Sequence, residues 1–118
     1  MSAPRYSLNY FESGNVSAAA GKIAFTIARA GRIVECRATV GTAPASQALL
    51  VNVKKNGTTI FTNQANRVTI AASATSGTGT PEVQEVSAGD RITVDVDQVG
   101  TGTVGAGLAL CIQIEEAR

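Results

Sequence analysis

Leu49-Leu-Val-Asn-Val-Lys-Lys-Asn-Gly-Thr-Thr-Ile-Phe61 carries the strongest local fold signal in the chain. Leu49, Val51 and Val53 alternate with Asn52 and Lys54, the period-two pattern of a strand that buries one side. Asn56-Gly57 follows directly. Both central residues of a type I′ turn need positive φ, so Asn-Gly between alternating runs is the strongest short-range hairpin signal. The expected return strand is Thr59–Thr62.

The same period runs outward in both directions. Ile23, Phe25 and Ile27 share one face of a strand that starts after Lys22. Over Ile33–Val40 the expected inward face is Val34, Cys36, Ala38 and Val40, with Glu35 and Arg37 opposite. Arg67–Ala71 reads as a short strand, Ser73–Pro81 as a long Gly, Ser and Thr loop, and Val83–Val86 as another short segment. Ser87-Ala-Gly-Asp90 is a turn feeding Arg91–Asp97, where Ile92, Val94 and Val96 oppose Arg91, Thr93, Asp95 and Asp97. The last strand, Leu108–Glu115, turns Leu108, Leu110, Ile112 and Ile114 inward and leaves Cys111 on the other side. No stretch carries a helical stripe. About eight short strands at spacings of roughly 8 to 12 residues predict an all-β fold, an antiparallel β-sandwich or barrel.

Residues 1–20 differ from the rest. Tyr6-Ser-Leu-Asn-Tyr-Phe11 holds three of the five aromatic residues, and turn residues break it before Ala18-Ala-Ala-Gly21. The stretch reads as an N-terminal extended arm or an edge strand, leaving 21–118 as a single β-sandwich domain. At 118 residues roughly two-thirds of the unfolded surface is buried on folding, enough for a core without disulfides or metal.

Composition narrows the chemistry. Ten Lys or Arg against nine Asp or Glu leave a net charge of +1 with no His. A near-neutral chain lacks the broad electrostatic footprint that nucleic acid or an anionic membrane requires. Without His, the commonest general base and transition-metal ligand are missing. No window approaches the run of about 18 apolar residues of a membrane helix. Met1-Ser-Ala-Pro-Arg-Tyr6 lacks the basic and apolar regions of a secretory signal, so the chain is expected to be made inside the cell and soluble. Cys36 and Cys111 fall on different strand faces, and two free thiols are expected.

Four constellations of chemistry-bearing residues each have a plainer reading. Gly100-Thr-Gly-Thr-Val-Gly105 formally matches a dinucleotide fingerprint, but that motif needs a following helix and an acidic residue about 20 positions on; a strand follows, and an inter-strand loop is the better account. Asp90, Asp95 and Asp97 match no calcium-loop spacing. Glu35, Glu82 and Glu85 are raw material for a paired-carboxylate hydrolase, yet a chain without Trp is poorly equipped for a sugar-stacking cleft. Lys22, Arg29, Arg32 and Arg37 form the one basic cluster, which reads either as a patch for an acidic protein or as solvated strand edges. No enzyme activity, cofactor or metal is expected.

The order of Val51–Phe61, then Val86-Ser-Ala-Gly-Asp-Arg-Ile-Thr-Val-Asp-Val96 with Gln98-Val-Gly, then Gly105-Ala-Gly-Leu-Ala-Leu, resembles the jelly-roll-like β-sandwich domain of tailed-phage virion proteins. Such domains occur in head fibres, tail fibres and small capsid decoration (cement) proteins. Fibre modules usually accompany a stalk, and no stalk pattern occurs in this sequence. The resemblance therefore implies a decoration protein on the outer capsid surface of a virion, made in the host cytoplasm. It implies a homotrimer that binds the major capsid protein. The expected contacts are Arg5, Tyr6, Leu8, Tyr10 and Phe11, among which Leu8, Tyr10 and Phe11 can supply apolar anchors at an interface. The alternative is a fibre-type host-recognition or carbohydrate-binding module with the loops Ala72–Pro81 and Gly100–Gly107 as binding tips.

Overall fold

Alternating side chains let a strand bury only one side, so the strands must stack as layers. The computed structural model describes residues 4–117. It holds β1 (Arg5–Asn15), β2 (Ala19–Thr26), β3 (Gly31–Thr39), β4 (Leu49–Lys55), β5 (Thr58–Thr59), β6 (Val68–Ile70), β7 (Ser76–Gly79), β8 (Glu85–Val86), β9 (Arg91–Val99) and β10 (Ala106–Glu116). One antiparallel sheet runs β1-β10-β3-β7, with β8 also on β3; the other runs β2-β9-β4-β5, with β6 also on β4. The chain alternates between sheets from β1 to β4 and returns β9 and β10 beside β2 and β1. That is the winding of a jelly-roll sandwich. Among the described residues no helix is long and apolar enough to cross a membrane.

The core lies between the sheets. Leu108, Ile112 and Ile114 of β10 face Leu49, Val51 and Val53 of β4 and Ile92 and Val94 of β9, all without solvent exposure. The hairpin forms where expected, with Asn56 at φ 52° and Gly57 at φ 88°. Its return strand is shorter, only Thr58–Thr59: the Ile60 amide still bonds the Val53 carbonyl, and the chain then turns so that Ile60 and Phe61 plug the core.

One expectation is resolved and two change. Of the two readings of residues 1–20, an arm or an edge strand, Arg5–Asn15 takes the second as β1, paired with β10; residues 1–3 lie outside the described residues. In β3 the inward set begins with Ile33 rather than Val34. Gln113 pairs with Glu35 but Ile114 pairs with Ile33, so Val34 is an extra residue in a bulge, and the alternation inverts across it. Finally, Ser76–Gly79 is β7 rather than loop, paired with Cys36–Thr39. This strand carries no apolar side chains because there is no room for them. A Cβ on Gly77 would run into the Thr69 carbonyl, and one on Gly79 would lie 2.8 Å from the Val68 nitrogen. Backbone packs on backbone at this edge, where periodicity has nothing to read.

Charged side chains tie the corners. Lys22 lies 3.1 Å from Glu12 and donates to the Ser17 carbonyl and hydroxyl at 2.8 and 2.7 Å, clamping the β1–β2 turn. Burial pushes the Glu12 carboxyl up, but hydrogen bonds from Lys22, Ser17 and Tyr10 outweigh it and hold the group below the usual range. Asp90 accepts from the Ser87 amide at 2.8 Å and the Asn56 side-chain amide at 3.1 Å. Those bonds hold its carboxyl low.

Gly77→Ala is expected to cost about 1–3 kcal/mol, the usual penalty of overpacking, in urea unfolding. Thr78→Ala, on the outward side of the same strand, should stay within about 0.5 kcal/mol. Because Glu12 and Asp90 titrate below their unfolded values, the stability they add is present above roughly pH 4. It is lost as pH falls through the lower folded values. Thermal melting across that acid range should show the loss, less steeply in Asp90→Asn.

Candidate docking surface

The two outer faces of the sandwich differ in kind. On the β2-β9-β4-β5 sheet the polar groups answer one another. Asn52 and Asp95 are directly paired across β4 and β9 and are 6% and 5% exposed. Asp95 lies 3.0 Å from Lys54 and accepts from the Gly21 amide at 2.8 Å. Asn52 accepts from the Thr59 hydroxyl at 2.7 Å, and Arg67 meets Asp97 at 2.8 Å. Among the described residues no buried side-chain polar atom lacks a partner. This face has little left to offer a ligand.

The outer face of β1-β10-β3-β7 is graded. Strand register sets four rows across it: Arg5, Glu115, Arg32 and Glu85; then Ser7, Gln113 and Glu35; then Asn9, Cys111, Arg37 and Thr78; then Phe11, Ala109, Thr39 and Ser76. The first row is a ladder of alternating charge, with Arg5 3.4 Å and Arg32 3.8 Å from Glu115. The last two rows carry one charge, Arg37, whose guanidinium lies 3.3 Å from Glu35. There the small side chains of Ala109 and Cys111 leave a depression of about 280 Å³ between Phe11 and Arg37. A second, of about 420 Å³, lies beyond Arg37 along Thr39, Ser76 and Thr78. Phe11 is 64% exposed and is the one large hydrophobic side chain so exposed among the described residues.

The five residues expected to make contacts divide by strand parity. Arg5 and Phe11 point outward onto this face. Tyr6, Leu8 and Tyr10 pack on the core edge instead, opposite Ile114, Ile112 and Leu110. Tyr6 also donates to the Arg29 carbonyl at 2.8 Å, and Tyr10 to Glu12 at 3.1 Å. Burial, then the neighbouring Glu12, pushes the Tyr10 phenol up. Of the outward residues beyond β1, Arg32, Glu35 and Arg37 of β3 entered the sequence reading only in the basic and carboxylate groups, and those of β10 and β7 were not expected as contacts. The available signal was the uncharged outward series Ala109, Cys111, Gln113.

The other constellations disperse. Lys22, Arg29, Arg32 and Arg37 each meet a carboxylate, on Glu12, Glu116, Glu115 and Glu35 respectively, so no free basic patch forms. Asp90, Asp95 and Asp97 go to separate partners, and among the described residues no three metal-ligating side chains gather. Glu82 braces the turn before β6 by accepting from the Asn63 and Asn66 nitrogens at 2.9 and 3.1 Å. Gly100–Gly105 joins two strands and is tied to the Pro44–Ala45 loop by two backbone bonds, Ala45 to Thr103 and Thr101 to Ala45.

No protein-family model and no curated protein matches the sequence. Solved structures do match in fold. A chain of the cyanophage Pam1 capsid asymmetric unit superposes with a TM-score of 0.57 at 10% identity, over 98% of this chain and 87% of that one. The catalytic unit of a GH87 α-1,3-glucanase from Streptomyces thermodiastaticus matches with 0.53 at 16% identity, over all of this chain but 27% of the enzyme chain. A carbohydrate-binding module, CBM36 in complex with calcium and xylotriose, gives 0.45 at 13% identity, over 95% and 88%. At these identities the likeness is one of fold.

Cys36 has no exposure, and burial, followed by the nearby Cys111 and Glu35, pushes its thiol up to about 12. Only the thiolate reacts, so a thiol reagent should label Cys111 alone in the native protein and both cysteines after unfolding. Mass spectrometry of the labelled protein reads the difference. Double native labelling would contradict the assigned β3 and β10 faces.

Proposed function

We propose that this chain is a non-enzymatic structural protein of a phage virion, and that it decorates the outer capsid surface by docking the β1-β10-β3-β7 face on the major capsid protein. The observation carrying this reading is the contrast between the two sheets. One face satisfies its own polar groups, whereas the other presents a hollow floored by Ala109 and Cys111 between an exposed Phe11 and Arg37. Interfaces are anchored by aromatic and Arg side chains at a desolvated centre with a polar rim. Phe11 and Arg37 would be the anchors, and the Arg5, Glu115, Arg32 and Glu85 ladder the rim. The fold likeness to a capsid chain of comparable length supports the choice of partner.

The copies would sit as a homotrimer, and the contact set is revised from the sequence expectation. Phe11 and Arg5 stay in it; Tyr6, Leu8 and Tyr10 act by holding β1 in place. Removing residues 1–11 would therefore strip an edge from the sheet, so outward point substitutions are the cleaner probe.

Binding of the purified protein to capsid shells lacking it should fall at least tenfold in Phe11→Asp and Arg37→Glu, about 1.4 kcal/mol or more each, with unchanged far-ultraviolet circular dichroism. Wild-type affinity in the double variant would overturn the docking face. Glycan-array binding without shell binding would replace the reading with a carbohydrate-binding one.

A further inference from the structure

Three of the four sheet edges are guarded. Strand β2 is interrupted by a register shift between Ala19 and Ile23, with Gly21 at φ 65°. The edges opposite β1 and β2 are broken into β7 with β8 and β5 with β6, each two to four residues long. Short, bulged edges resist pairing with other chains. Strand β1 has its register shift only near its end, between Glu12 and Asn15, and before it no such protection. It runs eleven residues, its register is continuous from Arg5 to Glu12, and between those two charges Tyr6–Phe11 carries none.

Its free hydrogen-bonding groups can be assigned. The Glu116 amide donates to the Pro4 carbonyl, and Arg5 lies opposite Glu115. Bonded pairs alternate along an antiparallel ladder, so Tyr6, Leu8 and Tyr10 direct their backbone groups to β10. Arg5, Ser7, Asn9 and Phe11 direct theirs outward. Among the described residues those outward groups have no partner. Tyr6, Leu8 and Tyr10 are only half-buried although they face the core, because no strand lies beyond them.

We propose that β1 pairs antiparallel with β1 of a second copy about a two-fold axis through Leu8, joining two sheets into one. Arg5 then lies opposite Phe11 of the second copy, and Ser7 opposite Asn9, each pair exchanging both backbone bonds. Leu8 meets Leu8 on the axis. Tyr6 meets Tyr10 at a non-bonded position, where side chains approach most closely and aromatic pairs are favoured. A slip of one residue would turn the unpaired groups away from each other, and a slip of two would leave Arg5 or Phe11 outside the run. No like charges oppose one another. The strand matches itself on both faces, which is what a two-fold contact between identical chains requires. The outer sheet face stays open, so the contact goes beyond the docking proposed above and needs no shell. Where a trimer also forms, the same contact links one trimer to the next.

Sedimentation without capsids tests it. Ser7→Pro removes an outward amide that β1 does not use within its own sheet, a position where an edge strand tolerates proline. It should halve the particle mass while the fold persists. Should that variant misfold, Ser7→Asp with Asn9→Asp sets like charges opposite each other and should dissociate equally. Mixing it with Ser7→Lys, Asn9→Lys should restore the heavier particle. In the assembled protein, amide exchange at Ser7, Asn9 and Phe11 should slow to match Tyr6, Leu8 and Tyr10. Equal masses for wild type and variants, or fast exchange at the outward amides, overturns the proposal.

Discussion

Strand β10 is the member on which the rest of the structure depends. It is hydrogen-bonded to β1 on one side and β3 on the other, so its inward row of Leu108, Leu110, Ile112 and Ile114 is sealed on both flanks and sits 0–2% exposed. Burial of aliphatic side chains contributes about 1.5–3 kcal/mol each, and truncating one to Ala typically costs about 2–5 kcal/mol because a cavity remains. The same strand supplies the outward residues Ala109, Cys111 and Gln113. The period of two that fills the core thus also lays the floor of the opposite surface. The core and the proposed docking face are two sides of one strand.

The bulge at Val34 shows how a local irregularity shapes that surface. Without the extra residue, β3 could not place Ile33 beside Ile114 and Cys36 beside Ile112 on the same side. With it, both are buried, while Arg32, Glu35 and Arg37 all project outward. Arg32 then completes the charged row with Glu115, and Glu35 holds Arg37 at the margin of the hollow. A near-neutral chain thereby separates this face into a charge-paired end and an end whose one charge is Arg37, although the two charge types are nearly equal in number.

That separation gives the functional reading its content. Surface ion pairs contribute little to stability, but they neutralise the groups that would otherwise make the whole face sticky or repulsive. What remains unsatisfied lies at Phe11 with the depressions beside it, and along the open edge of β1. Both features use the same strand for different ends: outward side chains on the sheet face, outward backbone groups on the sheet edge. On the proposed reading, a chain lying flat on a shell and joining its neighbours sideways would use each.

Much of this was legible in the residues. Alternation placed β4, β9 and β10 and most of the core, and Asn56-Gly57 placed the tight hairpin, because period and turn chemistry are local. Near-neutral charge and the missing His narrowed the chemistry for equally local reasons. Other features required the folded chain. The burial of Tyr6, Leu8 and Tyr10 depends on pairing with residues about a hundred positions away. Gly77 and Gly79 form a strand because a second backbone occupies the space a side chain would need, and the bulge at Val34 is a matter of partner register. The amino-acid sequence by itself determined which residues alternate and therefore that two layers form. Only the tertiary structure decided which strand borders which, and so which outward residues become neighbours, because adjacency across a sheet is set by long-range pairing that a local period does not encode.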